Sequence, residues 1–142
     1  MKFNIMFVDD SLGVLESLQW LFKDEPYYVF SFNNPFDALN VIKALEWAVV
    51  VAEQSMQNMD GLEFLKRVRA HSPQTMGIIM AGYNEMKEAK DMLYPSGIYR
   101  FVKKPIDNIE IKQAVKAAIV NYETNTGIKR QALFEENVAG RV

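Results

Sequence analysis

The stretch WAVVVAEQSMQNMDG, residues 47–61, joins an apolar run to a polar loop and then to the start of a helix. The run AVVVA at 48–52 is apolar on both faces, as is typical of a strand in a parallel sheet that helices cover on both sides. It predicts the central strand of an α/β fold. Asp60 followed by Glu63 is a capping-box pattern, which predicts a helix over LEFLKRVRAH. Glu53 lies where the strand emerges from the sheet.

The rest of the chain, to about Tyr122, repeats this alternation of strand and helix. Four more apolar runs predict strands, at residues 3–8, 28–32, 77–81 and 99–102. Four more helices are predicted: from Leu12 to before Pro26, after the cap Asn34 through residue 45, from the cap Asn84 to about Tyr94, and after the cap Asp107 through Tyr122. Five strand–helix units with short loops predict a parallel sheet with right-handed crossovers and helices on both faces.

The composition of the chain excludes several classes of function. With 142 residues, 49% of them hydrophobic, the chain suffices for one domain with a hydrophobic core. A formal net charge of −2 offers no positive surface for direct nucleic-acid binding. No cysteine is present, so disulfides, thiolate catalysis and cysteine metal sites are excluded. The apolar run before Asp9 is too short for a signal peptide or a membrane span, so we expect a cytoplasmic protein without a membrane partner.

Charged side chains follow the predicted strands at the edge of the sheet where ligands bind in open parallel sheets. Asp9 and Asp10 end the first strand, Glu53 ends the third and Lys104 follows the fifth. Carboxylates gathered at one point suit a hard divalent cation such as Mg²⁺, which takes oxygen ligands and works with phosphate. The two aspartates alone would equally suit the start of the first helix, where acidic caps are favoured.

These motifs together resemble the receiver domains of two-component response regulators (the CheY-like family). The resemblance covers about residues 3–122: FVDD, a carboxylate seven residues before the aspartate of MDG, a small residue before GY, and KP after a fifth strand. It implies a (βα)5 flavodoxin-like doubly wound sheet with strand order 2-1-3-4-5, and a signalling module rather than an enzyme. We expect a receiver domain over 1–123, and over 124–142 a tail, a frayed helix or a linker that leads to an output domain.

The resemblance also assigns roles to individual positions. It places Glu53 at the phosphoacceptor position and Lys104 as the lysine of the phosphate site. Ala81 and Phe101 take the two switch positions, although Phe101 would also serve as an ordinary core residue. The positions assigned to the metal are those around the acceptor: Asp9, Asp10, Glu53 and Ser55.

Three of these positions depart from the family pattern, which has Asp at the acceptor, Thr or Ser at Ala81, and Pro at Gln57. Glu53 carries one extra methylene, and a misplacement of about 1 Å can cost on the order of 10²-fold in rate. Ala81 lacks a hydroxyl whose hydrogen bond to a charged group is worth roughly 1–3 kcal/mol. We therefore predict a pseudo-receiver that is poor at accepting phosphate, acts by protein–protein interaction and has a frozen switch.

Several alternatives stay open at this point. One is a working receiver with Mg²⁺-dependent phosphoryl transfer. Either Mg²⁺ is retained, or Glu53 pairs directly with Lys104 and the cation is dispensable. The run from Ala81 to Asp107 also resembles receivers that precede HD-type cyclic-dinucleotide phosphodiesterase modules. A flavodoxin-like cofactor enzyme is disfavoured, because Asp9 and Asp10 would repel the phosphate of the cofactor. Expected partners are a histidine kinase or an output protein, with homodimerisation through the fourth and fifth units.

Overall fold

The computed structural model describes residues 2–89 and 98–128, and within them five strands alternate with five helices. The strands are β1 (Phe3–Val8), β2 (Tyr27–Phe32), β3 (Val49–Glu53), β4 (Met76–Ala81) and β5 (Ile98–Lys103). The helices are α1 (Leu12–Leu21), α2 (Pro35–Val41), α3 (Gly61–His71), α4 (Tyr83–Ala89) and α5 (Asn108–Thr126). No helix among the described residues is long and apolar enough for a bilayer span.

The five strands form one parallel sheet in the order β2-β1-β3-β4-β5, as predicted. The register pairs Val8 with Ala52 and Ala81 with Lys103. Neighbouring strands therefore stop at nearly the same level. This register brings the residues that end or follow β1, β3, β4 and β5 to one edge of the sheet.

Two hydrophobic cores lie on opposite faces of the sheet. On one face, α1 and α5 pack against alternate strand residues such as Phe7 and Val51. On the other face, α2, α3 and Met86 of α4 pack against the intervening residues, among them Val8 and Val50. All five residues of β3 are buried, which confirms the central strand expected from its two apolar faces.

Three of the predicted helix caps are confirmed and one is wrong. Asn34, Asp60 and Asp107 each accept a backbone N–H in the first turn of the following helix. Asn84 is no cap, because α4 begins one residue earlier and its first hydrogen bond runs from the Met86 N–H to the Gly82 carbonyl. The end predicted near Tyr94 lies outside the described residues.

Four other helix ends differ from the expected pattern. Helix α1, expected to run up to Pro26, ends at Leu21, and the N–H of its C-cap Phe22 donates to the Leu18 carbonyl. Ser11 caps α1 by accepting the Val14 N–H, so neither Asp9 nor Asp10 is the cap. Helix α2 ends at Val41, four residues early, and the Val41 carbonyl accepts both the Ala44 N–H at 3.1 Å and the Trp47 indole N–H at 3.4 Å. Helix α5 continues past Tyr122 to Thr126 and ends at Gly127, whose φ of 74° suits a left-handed cap.

Candidate functional site

The ends of β1, β3 and β5 bring Asp9, Glu53 and Lys104 into contact. Lys104 Nζ contacts Glu53 Oε2 and lies 3.4 Å from Asp9 Oδ2. Both carboxylates are buried, with exposed fractions of 2% for Asp9 and 6% for Glu53. The backbone fixes this arrangement, since the Lys104 N–H donates to the Ala81 carbonyl at 2.8 Å. Lys104 therefore forms ion pairs with two buried carboxylates.

Burial and the charge of the partner act in opposite directions on the pKa values of Glu53 and Lys104. Burial raises the pKa of Glu53 above its ordinary value, the Lys104 ammonium lowers that pKa in part, and Asp9 raises it further. Burial alone would lower the pKa of Lys104, but Glu53 and Asp9 outweigh it, and the pKa lies above its ordinary value. Lys104 is therefore protonated and positively charged at neutral pH.

Backbone N–H groups satisfy the remaining oxygens of the acidic residues. The Ser11 N–H donates to Asp9 Oδ1 at 2.8 Å, and the Ser55 N–H donates to Glu53 Oε1 at 3.3 Å. Each of these two side chains therefore has a backbone partner on one oxygen and Lys104 on the other. Their negative charge is compensated from within the chain.

Asp10 has a partner of its own in the loop after β3. The Gln57 N–H donates to Asp10 Oδ2 at 2.9 Å. Gln57 occupies the position where the receiver pattern has a proline, and proline has no N–H to donate. This substitution, which looks mild in the sequence, supplies a hydrogen bond that the family pattern would lack.

The positions assigned to Mg²⁺ do not come together as a cation site. Within residues 2–89 and 98–128, no group of three or more Asp, Glu or His side chains is arranged to hold a metal ion. The Lys104 ammonium lies against Asp9 and Glu53, and Asp10 turns toward Gln57. In this arrangement the residues do not fit a Mg²⁺ ion held by all three carboxylates.

The two switch positions lie in or against the second hydrophobic core. Ala81 is fully buried and offers only a methyl group. Phe101 is partly buried against the second core. It also lines an open groove of about 350 Å³ together with Tyr83, Met86 and Lys87, which we call the α4–β5 groove. Phe101 is thus both a packing residue and part of a surface.

Glu85 belongs to the site, although no motif in the sequence singled it out. Its Oε1 accepts the Gly82 N–H at 3.0 Å, and its Oε2 contacts the hydroxyl of Ser55. The spacing of three residues from Gly82 is a local capping signal that could have been noticed. The contact with Ser55, 30 residues away, has no local signal in the sequence.

Close packing explains why the last residue of the MDG motif, Gly61, is a glycine. A Cβ at this position would lie 2.5 Å from the Glu53 carbonyl oxygen and 2.8 Å from Ile79 Cδ1. The Gly61 N–H donates to the Gln54 carbonyl at 3.0 Å, which draws the start of α3 against the end of β3. Glycine at this position lets the loop that carries Ser55 close tightly over the site.

Known proteins share this architecture and part of this sequence. The family described as the response regulator receiver domain matches residues 5–116. Sporulation initiation phosphotransferase F of Bacillus subtilis is 32% identical over 82% of this chain and 93% of its own length. The hydrogenase transcriptional regulatory protein HoxA of Bradyrhizobium diazoefficiens is 29% identical over 84% of this chain, and the match spans only 24% of that protein.

A solved structure supports the same assignment. It is the signal receiver domain of an HD domain-containing protein from Pseudomonas fluorescens Pf-5. The two chains share 25% identity with a TM-score of 0.82, over 90% of this chain and 94% of that one. From the family match, the strand order and the charged edge of the sheet, the chain belongs to the response regulator receiver domains, the signalling modules of two-component systems.

Proposed function

We propose that this receiver is impaired in phosphorylation and acts by binding other proteins. The observation that carries the proposal is the double engagement of Lys104 by Glu53 and Asp9. In the family, this lysine pairs with the phosphoryl group. Here its charge is already compensated by two carboxylates of the chain.

Electrostatics at the acceptor position opposes phosphoryl transfer. An incoming phosphoryl group is anionic and would approach Glu53, Asp9 and Asp10 with Lys104 already paired. Phosphoryl transfer depends on positioning and charge neutralisation, and this arrangement weakens both. Ala81 contributes no hydroxyl to hold the transferred group. These features support a permanent ion pair between Glu53 and Lys104 instead of a switch that phosphorylation operates.

The proposed partners are proteins. Receiver domains work with kinases and output domains, and this chain spans about a quarter of HoxA, whose remaining length lies outside the match. We propose the α4–β5 groove as the contact surface, with homodimerisation through the same units as one form of that contact. Direct nucleic-acid or membrane binding is not part of the proposal, and the proposed location is the cytoplasm.

A second candidate is a receiver that regulates an HD-type cyclic-dinucleotide phosphodiesterase. The similarity to the receiver of an HD domain-containing protein favours it, and so does the sequence from Ala81 to Asp107. This candidate concerns the output module that the receiver controls, and it is compatible with impaired phosphorylation. It would be tested by adding the receiver to the isolated HD module and measuring phosphodiesterase activity.

Phosphorylation is tested by incubating the chain with Mg²⁺ and acetyl phosphate and measuring its intact mass. The matched comparison is the double variant Glu53→Asp with Ala81→Thr, which restores both family residues. We expect a phosphoryl adduct on the double variant only. An adduct on the unchanged chain, mapped to Glu53, Asp9 or Asp10, would overturn the proposal in favour of the working receiver.

A further inference from the structure

Glu85 connects two loops that come from different strands. Its Oε2 contacts the Ser55 hydroxyl in the loop after β3, and its Oε1 accepts the Gly82 N–H at the start of α4. Both oxygens of the carboxylate are therefore engaged, each by a different segment. The side chain spans the gap between the acceptor loop and the helix that lines the α4–β5 groove.

The bridge continues to the acceptor residue itself. The Ser55 N–H donates to Glu53 Oε1 at 3.3 Å, and Glu53 Oε2 contacts Lys104. A continuous line of contacts thus runs from the end of β5 through Glu53 and Ser55 to Glu85 and Gly82. Ser55 is the link between its two halves, because its backbone N–H faces Glu53 and its hydroxyl faces Glu85.

The described part of α4 depends on such outside contacts for its position. Helices in proteins take most of their stability from packing against the rest of the chain. Met86 packs against the second core, and the Lys103 ammonium lies 5.7 Å from the centre of the Tyr83 ring. Glu85 adds a polar link to the acceptor loop.

We propose that Glu85 is a positioning residue that joins the start of α4 to the acceptor loop through Ser55, and so sets the shape of the α4–β5 groove. Both ends of this link belong to the chain itself, so it needs no ligand. Tyr83, Met86 and Lys87 then keep their places beside Phe101 without phosphorylation. The proposal concerns the unphosphorylated chain and does not depend on whether Glu53 accepts phosphate.

The simpler explanation is that Glu85 only caps the first turn of α4 through Gly82. Ser55→Ala separates the two, because it removes the hydroxyl contact and leaves the contact with the Gly82 N–H in place. Glu85→Ala removes both contacts. Glu85→Gln is the conservative control, since its amide can still accept from Gly82 and can donate to the Ser55 hydroxyl, which also accepts.

The experiment is amide hydrogen exchange of the full chain and these variants, read at Met86 and Lys87 and compared with amides of α1. Losing a hydrogen bond to a charged group should speed local exchange about tenfold. We expect this acceleration at Met86 and Lys87 in Ser55→Ala and in Glu85→Ala, and near-normal exchange there in Glu85→Gln. The exchange of the α1 amides should be the same in all of these proteins.

The combined variant completes the test. If Ser55 acts through Glu85, adding Ser55→Ala to Glu85→Ala should give no further acceleration. If exchange in Ser55→Ala equals that of the unchanged chain, or if the two substitutions accelerate exchange independently, the proposal is overturned. Acceleration in Glu85→Ala alone would assign Glu85 to capping only.

Discussion

Glu53 ends β3 and Lys104 directly follows β5, and although these strands are not neighbours in the sheet, the two side chains contact each other. Strand β4 lies between β3 and β5 and ends in Ala81, whose side chain is a single methyl group. The Lys104 N–H donates to the Ala81 carbonyl at 2.8 Å, which holds Lys104 beside the end of β4. The contact between Glu53 and Lys104 therefore spans the end of β4.

The first prediction concerns the pH dependence of stability at Glu53. Its pKa is raised in the folded chain, so ionisation is easier in the unfolded chain, and the stability that it contributes is lost as pH rises from about 4.5 through the raised pKa. We expect Glu53→Gln to become more stable relative to the unchanged chain over this interval. Urea unfolding of both proteins at a series of pH values measures the difference, and a constant difference would contradict the prediction.

The second prediction concerns the removal of the positive charge. Lys104→Met should lower the free energy of unfolding at pH 7 by about 2 kcal/mol, because it leaves Asp9 and Glu53 buried without a counter-charge; this is less than for a fully buried pair, since Lys104 is partly exposed. Adding Glu53→Gln should recover part of the loss. The stabilisation that the Lys104 ammonium contributes should be fully present below pH 10.5. It should be lost above that pH, as the pH rises through the raised pKa of Lys104.

The measurement for this second prediction is chemical unfolding of the single and double variants at pH 7. If Lys104→Met is as stable as the unchanged chain, Lys104 does not compensate the two carboxylates. Equal losses with and without Glu53→Gln would show that the lysine acts independently of Glu53.

The third prediction compares two glycines. Gly61→Ala should lower the free energy of unfolding by about 1–3 kcal/mol, because the added Cβ would meet the Glu53 carbonyl and Ile79 at close range. Gly13→Ala is the control: the nearest neighbour of its Cβ would be Ser11 Oγ at 3.7 Å, and alanine in a helix is favoured by about 0.5–1 kcal/mol. Thermal unfolding of both variants gives the comparison, and similar effects at the two sites would be inconsistent with it.

The fourth prediction concerns Gln57 and Asp10. In the variant that carries Glu53→Asp and Ala81→Thr, Gln57→Pro should release Asp10 from the backbone N–H and strengthen Mg²⁺ binding about fivefold. Gln57→Ala retains the N–H and should leave the affinity unchanged. Mg²⁺ titration followed by nuclear magnetic resonance measures both. Equal effects of proline and alanine would mean that the Gln57 N–H does not compete for Asp10.

Local patterns in the sequence were enough to predict most of the fold. β1 has the bounds expected from FNIMFV, and Asn34, Asp60 and Asp107 cap helices because capping depends on residues within one turn. The buried β3 followed from its uninterrupted apolar residues. The early end of α2 was not predicted: the Val41 carbonyl accepts the Ala44 N–H in a tighter turn, and the Trp47 indole reaches the same carbonyl only in the folded chain.

The meeting of Asp9, Glu53 and Lys104 was predictable from the sequence, whereas the part played by Glu85 and the contacts between the loops were not. Parallel strands that stop at one level bring Asp9, Glu53 and Lys104 together, and this follows from fold class alone. The hydrogen bond from Gln57 to Asp10 and the contact between Glu85 and Ser55 link loops that are distant in sequence. Such contacts depend on loop conformations that no periodicity encodes.

The central claim is that Glu53 and Lys104 form a standing pair in the unphosphorylated chain. The most direct test is a pH titration of the Glu53 side-chain carboxyl carbon by nuclear magnetic resonance, in the unchanged chain and in Lys104→Met. We predict a pKa above the ordinary glutamate value in the unchanged chain and a further rise in the variant, since the ammonium lowers it. An identical pKa in both proteins would contradict the pair.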